Sequence, residues 1–200
     1  PVANRVGPGK RPRSAMAPTM VFDRGGKLVL ALGSAGGNAI INHVVKTLVA
    51  ALDAREHETS DHSQRVVRYT LAVARRLGIA EKDLPDIGRG ALLHDIGKIG
   101  VPDAILLKPA KLTPAEWDEM RKHPQTGFNI LQSVEFLDVP AQVVLSHQER
   151  FDGSGYPRGL AGDAIPIGAR IFAIADCFDA MTSDRPYRKG GTVEAARAEI

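Results

Sequence analysis

His94-Asp95-Ile96-Gly97-Lys98 is the stretch on which the reading of this chain turns. It sets an imidazole beside a carboxylate, with a cation one turn further on. Adjacent side chains on an α-helix point about 100° apart, since it has 3.6 residues per turn. The doublet therefore fits a helix end, where both donors can reach one ion that other segments help to hold. The preceding Ala91-Leu92-Leu93 is apolar and carries the pair inward. A carboxylate is costly to bury unless it is paired or coordinates a metal. The competing reading is an incidental surface pair, and the rest of the chain decides between the two.

Upstream, Glu58 and His62 are spaced i, i+4 and share a helix face. That face continues through Val66, Tyr69, Val73 and Leu77 as an amphipathic stripe. On it His62 reads as a ligand or as a satisfied core histidine, and Glu58 as a ligand or a solvated acid. Residues 86–97 are expected to form a central helix, ended by Gly97, Gly100 and then Pro102. Thr113-Pro114-Ala115-Glu116 is a capping box with proline at the first helical position. The helix it starts should run to His123, where Pro124 blocks continuation, and a second short helix should cover 125–133. His123 then lies at a junction, turned inward as a ligand or outward.

Residues 140–147 read as a helix ending on His147, followed by the Gly-rich loop 149–157. Residues 169–182 form an apolar helix with Asp176 in its middle, a position that calls for a metal or an Arg partner. Cys177 in the same run reads as a buried structural thiol. Four of the six histidines (His62, His94, His123, His147), with Asp95 and Asp176, thus fall at helix ends or on inward faces. His43 and His57 take no role. A mixed imidazole and carboxylate set suits Fe, Mn or Zn better than Ca or Mg.

Composition sets the outer limits. Two hundred residues suffice for one or two domains with a buried core, and no apolar run is long enough to span a bilayer. A single cysteine excludes an internal disulfide and is compatible with a reducing, cytoplasmic compartment. The chain begins at Pro1, so its native N-terminus is expected to lie upstream. Residues 1–50 hold seven Lys/Arg against Asp23 alone, a charge of +6, while the remaining 150 residues carry 19 basic and 22 acidic groups, a charge of −3. Such asymmetry fits either a nucleic-acid arm or two pieces of different origin. The second is favoured.

Residues 19–32 read as strand, turn and strand: Met20-Val21-Phe22 and Leu28-Val29-Leu30-Ala31-Leu32 flank Asp23-Arg24-Gly25-Gly26-Lys27. Gly33-Ser34-Ala35-Gly36-Gly37 follows, either a tight turn or a backbone cradle for an anion, and then an apolar helical run. The segment GKRPRSAMAPTMVFDRGGKLVLALGSAGG is similar to part of the small subunit of γ-glutamyltranspeptidases, over residues 4–52. The resemblance implies that Ser14-Ala15-Met16 corresponds to the stretch holding the γ-glutamyl group and Gly36-Gly37 to the oxyanion hole. Ala15 replaces a serine usual in that family, and the family's N-terminal Thr nucleophile has no counterpart here, so no acyl transfer is expected. From Leu48 to Arg55 the helix continues without a Gly/Pro/Ser linker. The boundary is placed between residues 51 and 52, within that helix.

From about residue 52 to the end, the order H…HD-x-x-K…H…H…D with the loop HQERFDGSGYP resembles the HD-GYP domain, a subgroup of the HD metal-dependent phosphohydrolases. The resemblance implies a mainly α fold, a helical bundle around a metal site, here preceded by the short β-hairpin. It implies hydrolysis of the bacterial second messenger cyclic di-GMP, to pGpG or GMP, with two divalent ions and room for a third, Fe or Mn favoured and Zn compatible. By position the metal ligands fall on His62, His94, Asp95, His123, His147 and Asp176, with Glu58 matching the extra carboxylate of three-metal members. Lys98 matches a phosphate-contacting lysine, Gly155-Tyr156-Pro157 the signature loop beside the substrate, and Arg185 and Arg188 a substrate-contacting segment. Asp95 and Lys98 are the catalytic pair, and Asp179, one turn after Asp176, is either an orienting partner for a histidine or a surface acid. The resemblance also leaves room for a regulatory or GGDEF-type protein partner, in a response-regulator-like setting, and for a homodimer. Gln148 stands where the family commonly has a second histidine, which weakens one metal position and leaves open a silent cyclic di-GMP receptor or an HD hydrolase for another nucleotide. The chain stops at Ile200 as another helix begins, so the domain is expected to be truncated.

Overall fold

The computed structural model describes residues 19–22, 28–32, 45–50, 52, 55, 60–184 and 189–200. The chain divides into two compact units, residues 1–48 and 49–200. In the first, β1 (Thr19–Phe22) and β2 (Leu28–Leu32) pair antiparallel, with Thr19 opposite Leu32, Val21 opposite Leu30, and a register shift between Val21 and Phe22. The turn residues 23–27, the Ser14-Ala15-Met16 stretch and the glycines at 33–37 lie outside the described residues.

The second unit is helical. Helix α1 (Ser60–Arg76) buries Ser63, Val66, Thr70 and Ala74, a 3-4-4 spacing that is one helix face. The expected stripe is therefore rotated by one residue. Tyr69 and Val73 flank it, and Leu77, past the helix end, is 61% exposed because the chain turns away at Gly78, whose φ is +79°. Helix α2 (Leu84–Leu92) carries Pro85 in its first turn and ends before the doublet, so the expected helix to residue 97 becomes a turn at 93–95 and then a 3-10 helix at Ile96–Gly100.

A short α3 (Asp103–Leu106) leads to α4 (Pro114–Met120), whose capping box forms as read: Thr113 Oγ1 accepts from Glu116 N–H and Glu116 accepts from Thr113 N–H. The α4 helix stops three residues early. His123 instead opens α5 (His123–Leu131), with Pro124 in its first turn. A first-turn proline costs nothing there, because that N–H has no intrahelical partner. Then come α6 (Asp138–Ser146), α7 (Ile167–Thr182) and α8 (Val193–Glu199).

Helices α1, α2, α6 and α7 pack on one another, and α5 closes against α6 and the 3-10 turn. Val66, Ala91, Val143, Phe172 and Ala175 meet at the centre. Each large side chain sunk there contributes roughly 1.5–3 kcal/mol. On α7 the buried face is Gly168, Ala169, Ile171, Phe172, Ala175 and Asp179. Asp176 is one residue off that face and its side chain is 36% exposed. Cys177 is two residues off and exposed, which corrects the expectation of a buried thiol. Among the described residues no helix is long and apolar enough to cross a membrane.

Candidate metal centre

Three histidines reach the centre by the same local device. His94 Nδ1 lies 2.9 Å from Ala91 O, His123 Nδ1 2.8 Å from Met120 O, and His147 Nδ1 2.7 Å from Val144 O. Each ring thus donates its Nδ1 proton to the carbonyl three residues earlier. In a neutral imidazole that is the one N–H, so Nε2 of His123 and of His147 is left as a bare lone pair, while Nε2 of His94 faces the Asp95 carboxylate at 3.1 Å. His62 does the same through a side chain, its Nδ1 donating to Asp179 Oδ2 at 2.7 Å. Asp179 is fully buried and is held by Arg65 at 2.6 and 3.1 Å and by Ser183 Oγ at 3.0 Å. It is an orienting partner and no surface acid.

Asp95 sits where the lone pairs converge. Its Oδ1 is 3.4 Å from His123 Nε2 and 3.8 Å from His147 Nε2, and those two nitrogens are 3.1 Å apart. Its Oδ2 is 3.1 Å from His94 Nε2 and 2.8 Å from Lys98 Nζ. Ligand atoms of Asp95, His123 and His147 all lie within 4.8 Å of one another. On the far side of His94, whose ring centroid is 6.2 Å from that of His62, His62 Nε2 faces Asp176 Oδ1 at 3.5 Å. Phe172 floors the cluster, 4.7 Å from the His94 ring and 5.8 Å from that of His147.

The electrostatics follow from this crowding. Burial by itself pulls the His94 imidazole down, but the Asp95 carboxylate outweighs it and lifts the group to about 9. Burial, then the charge on His94, drives His147 down to about 3. Burial also lowers His123 despite Asp95 beside it. Burial would raise Asp95, yet His94 and Lys98 hold it well below the usual carboxylate range. His123 and His147 are therefore neutral, and their facing nitrogens are both acceptors.

Close backbone approach makes the meeting of Asp95 with His123 feasible. A Cβ on Gly97 would stand 1.8 Å from His123 O and 2.5 Å from Gly127 N, so only glycine lets the 3-10 turn press on α5. Arg55 fastens the other end of that turn, donating to Lys98 O (3.1 Å), Ile99 O (2.8 Å) and Val101 O (2.5 Å) as well as to Asp103.

The loop after α6 is built on Glu149, a buried carboxylate that accepts from Arg158 N–H at 2.8 Å and Leu160 N–H at 3.0 Å. Arg158 also reaches Ser146 Oγ at 2.6 Å. Gly155 lies on the loop's own base, where a Cβ would fall 2.3 Å from Arg150 N. Tyr156 N–H donates to Gln148 O, and the Tyr156 ring is delivered edge-on to His123 with centroids 6.4 Å apart. Tyr156-Pro157 is cis, and Pro157 is exposed.

Of the residues singled out from the sequence, His94, Asp95, Lys98, His123 and His147 meet around one carboxylate, with Tyr156 at the rim. His62 and Asp176 form the adjoining pair. Glu58, Arg185 and Arg188 lie outside the described residues. Arg65, Glu149 and Arg55 had no signal by spacing alone, since their partners lie 114, 9 to 11 and 43 to 48 residues away.

Residues 46–200 match the HD domain family, and residues 1–75 match the Gamma-glutamyltranspeptidase family. The chain is 46% identical over 155 residues to the cyclic di-GMP phosphodiesterase response regulator RpfG of Xanthomonas campestris pv. campestris, covering 76% of this chain and 41% of that protein. It is 43% identical over 159 residues to the 3'3'-cGAMP-specific phosphodiesterase 2 of Vibrio cholerae, covering 78% of this chain and 30% of that protein. The chain thus spans less than half the length of these curated relatives. The HD domain of phosphodiesterase PgpH from L. monocytogenes, solved with cyclic-di-AMP, superposes with a TM-score of 0.56 at 18% identity, over 76% of this chain and 82% of that one. The shared helical fold, the His-Asp cluster on its inner turn and a family match that runs from residue 46 to the last residue agree: this chain belongs to the HD-domain family.

Proposed function

We propose that residues 52–200 form a metal-dependent phosphodiesterase that hydrolyses cyclic di-GMP to pGpG or GMP. The observation that carries this reading is the contact between His123 Nε2 and His147 Nε2 at 3.1 Å, beside Asp95 Oδ1. Both rings have spent their only proton on a carbonyl, so three acceptors face one another in a buried space. Acceptors crowded together in low dielectric repel, and a cation relieves them.

The donor set fits Fe or Mn best and is compatible with Zn. Asp95, His123 and His147 would hold one ion, and His62, His94, Asp95 and Asp176 a second. Glu58 is the residue for a third. Bound there, such ions supply Lewis-acid polarisation of a phosphoryl oxygen and a lowered pKa for the attacking water.

The chain's own groups do the rest. Lys98, anchored on Asp95, sets a point charge against the non-bridging phosphate oxygens. Asp179 takes the His62 Nδ1 proton and fixes the orientation of the ring. Burial, and then the charge of Asp95, raises the Tyr156 hydroxyl, so it stays protonated and donates at the rim. Phe172 excludes water from below. Gly155 and Pro157 shape the loop, and Arg185 and Arg188 are the further substrate contacts of this reading. A mixed cyclic dinucleotide is the second reading, supported by the 43% identity to a 3'3'-cGAMP-specific phosphodiesterase. We place the domain in the bacterial cytoplasm under a regulatory or GGDEF-type partner, as a homodimer, with the strands of residues 19–32 as a hairpin preceding it.

The test is direct. Protein loaded with Mn2+ is incubated with cyclic di-GMP and with 3'3'-cGAMP, products are separated chromatographically, and bound metal is measured. Expected are about two ions per chain and hydrolysis that stops on chelation. Intact nucleotides in both incubations, with less than one ion per chain, would end this reading.

Metal uptake should also release a proton. His94, raised to about 9, keeps its proton at pH 7 in the metal-free protein, and coordination through Nε2 must displace it. Affinity should therefore climb with pH up to about 9, by roughly tenfold per unit. Titration calorimetry in two buffers of different ionisation enthalpy reads the release, and buffer-independent heats would remove His94 from the ligand set.

A further inference from the structure

Arg121 is assigned no role above, and its position is unusual. It follows α4 by one residue and precedes His123 by two, so its backbone is tied to that of a proposed ligand. Its guanidinium carbon lies over the Tyr156 ring, 5.7 Å from the centroid, within the range of a cation–π contact. Tyr156 in turn stands edge-on to His123. One face of the tyrosine is thus covered by a cation, and that face is closed to a nucleobase. Among the described residues the Arg121 guanidinium is in no ion pair with a carboxylate, although the side chain is exposed.

A planar cation laid on an aromatic shelf has its N–H fork fixed in direction and free to bind. Arginine prefers a phosphate there, which it grips with two parallel hydrogen bonds. Lys98 offers a second cation, deeper in, beside Asp95.

We propose that Arg121, held on the Tyr156 ring, is a substrate-binding residue that grips the second phosphate of a cyclic dinucleotide while Lys98 faces the one to be cleaved. This rests on the cyclic dinucleotide reading above and adds to it a selectivity element: a ligand with two phosphates engages both cations, and a simple diester with one phosphate engages only Lys98. Arg121 acts by binding and takes no part in the chemical step.

The test compares Mn2+-loaded wild-type protein with Arg121→Ala and Arg121→Lys. Two substrates are used, cyclic di-GMP and the single-phosphate diester bis(4-nitrophenyl) phosphate. In Arg121→Ala the KM for cyclic di-GMP should rise about tenfold or more, with kcat within about twofold. The ratio of kcat/KM for cyclic di-GMP over the simple diester should fall by the same factor. Arg121→Lys should recover part of the loss, since it keeps charge and loses the fork. An unchanged ratio overturns the proposal. Calorimetric binding of cyclic di-GMP to metal-loaded wild type and Arg121→Ala gives a readout apart from turnover. A Kd weakened about tenfold supports the proposal, and equal Kd values overturn it. Should wild type turn over neither substrate, the hydrolase reading falls, and the binding comparison still decides the role of Arg121.

Discussion

Asp95→Ala should lower metal-dependent hydrolysis by on the order of 10³-fold or more while leaving the helices in place. The Asp95 carboxylate reaches four side chains of the cluster: His94 at 3.1 Å, Lys98 at 2.8 Å, His123 at 3.4 Å and His147 at 3.8 Å. Losing an outer-shell partner of a metal ligand typically costs 10–100-fold. A carboxylate shared by both proposed ion positions should cost more, because both lose a ligand and the net negative charge that attracts cations. The fold has little stake in it. Asp95 lies in the turn between α2 and the 3-10 helix, it makes no side-chain cap there, and among the described residues its carboxylate pairs with the cluster alone. Far-UV circular dichroism should therefore match wild type, while metal content falls. Asp95→Asn should be nearly as inactive, since an amide keeps the shape and loses the charge. Wild-type turnover or full metal content in Asp95→Ala would show that the site is wrongly placed.

The parts of this site that could be read in the sequence are those whose chemistry is local. His94, His123 and His147 each sit at or just past a helix boundary, with the orienting carbonyl three residues back, so these donor positions hold even where the helix ends differ from expectation. The central helix ends at Leu92 and α4 at Met120, yet His94 and His123 still face inward. What could not be read is long-range. Asp179 is paired with Arg65 across 114 residues of sequence, and nothing in either segment announces the other. Glu149 lies next to Gln148 in a loop rich in Gly, where a charged residue reads as solvated, whereas it is the buried peg on which Arg158 and Leu160 hang. Cys177 shows the opposite failure. An apolar helix gives composition without a face, and the buried side of α7 is set by Phe172, Ala175 and Asp179, which turns Cys177 outward. The resemblance supplied Arg185 and Arg188, and the spacing to His62 first pointed to Glu58; all three lie outside the described residues.

Gly97→Ala is the second large effect, and it separates packing from chemistry. The added methyl carries no charge and replaces no proposed metal ligand, but it would stand 1.8 Å from His123 O and 2.5 Å from Gly127 N. Both are backbone atoms, so no side-chain rotation relieves the clash. The 3-10 turn and the start of α5 must separate. Overpacking costs typically 1–3 kcal/mol where side chains can adjust, and here the upper end or beyond is expected. For a domain of this size that is a fall in Tm of roughly 6–12 °C. The same separation pulls His123 from Asp95, so bound metal should fall in parallel with stability. Gly100→Ala is the control: at Gly100 the nearest atom to a new Cβ is Thr126 Cγ2 at 3.1 Å, the end of a side chain that can move. It should shift Tm by only a few degrees and keep its metal. If Gly97→Ala matched wild type in both Tm and metal content, the turn and α5 would not be in the contact that brings Asp95 to His123, and the centre would have to be assembled some other way.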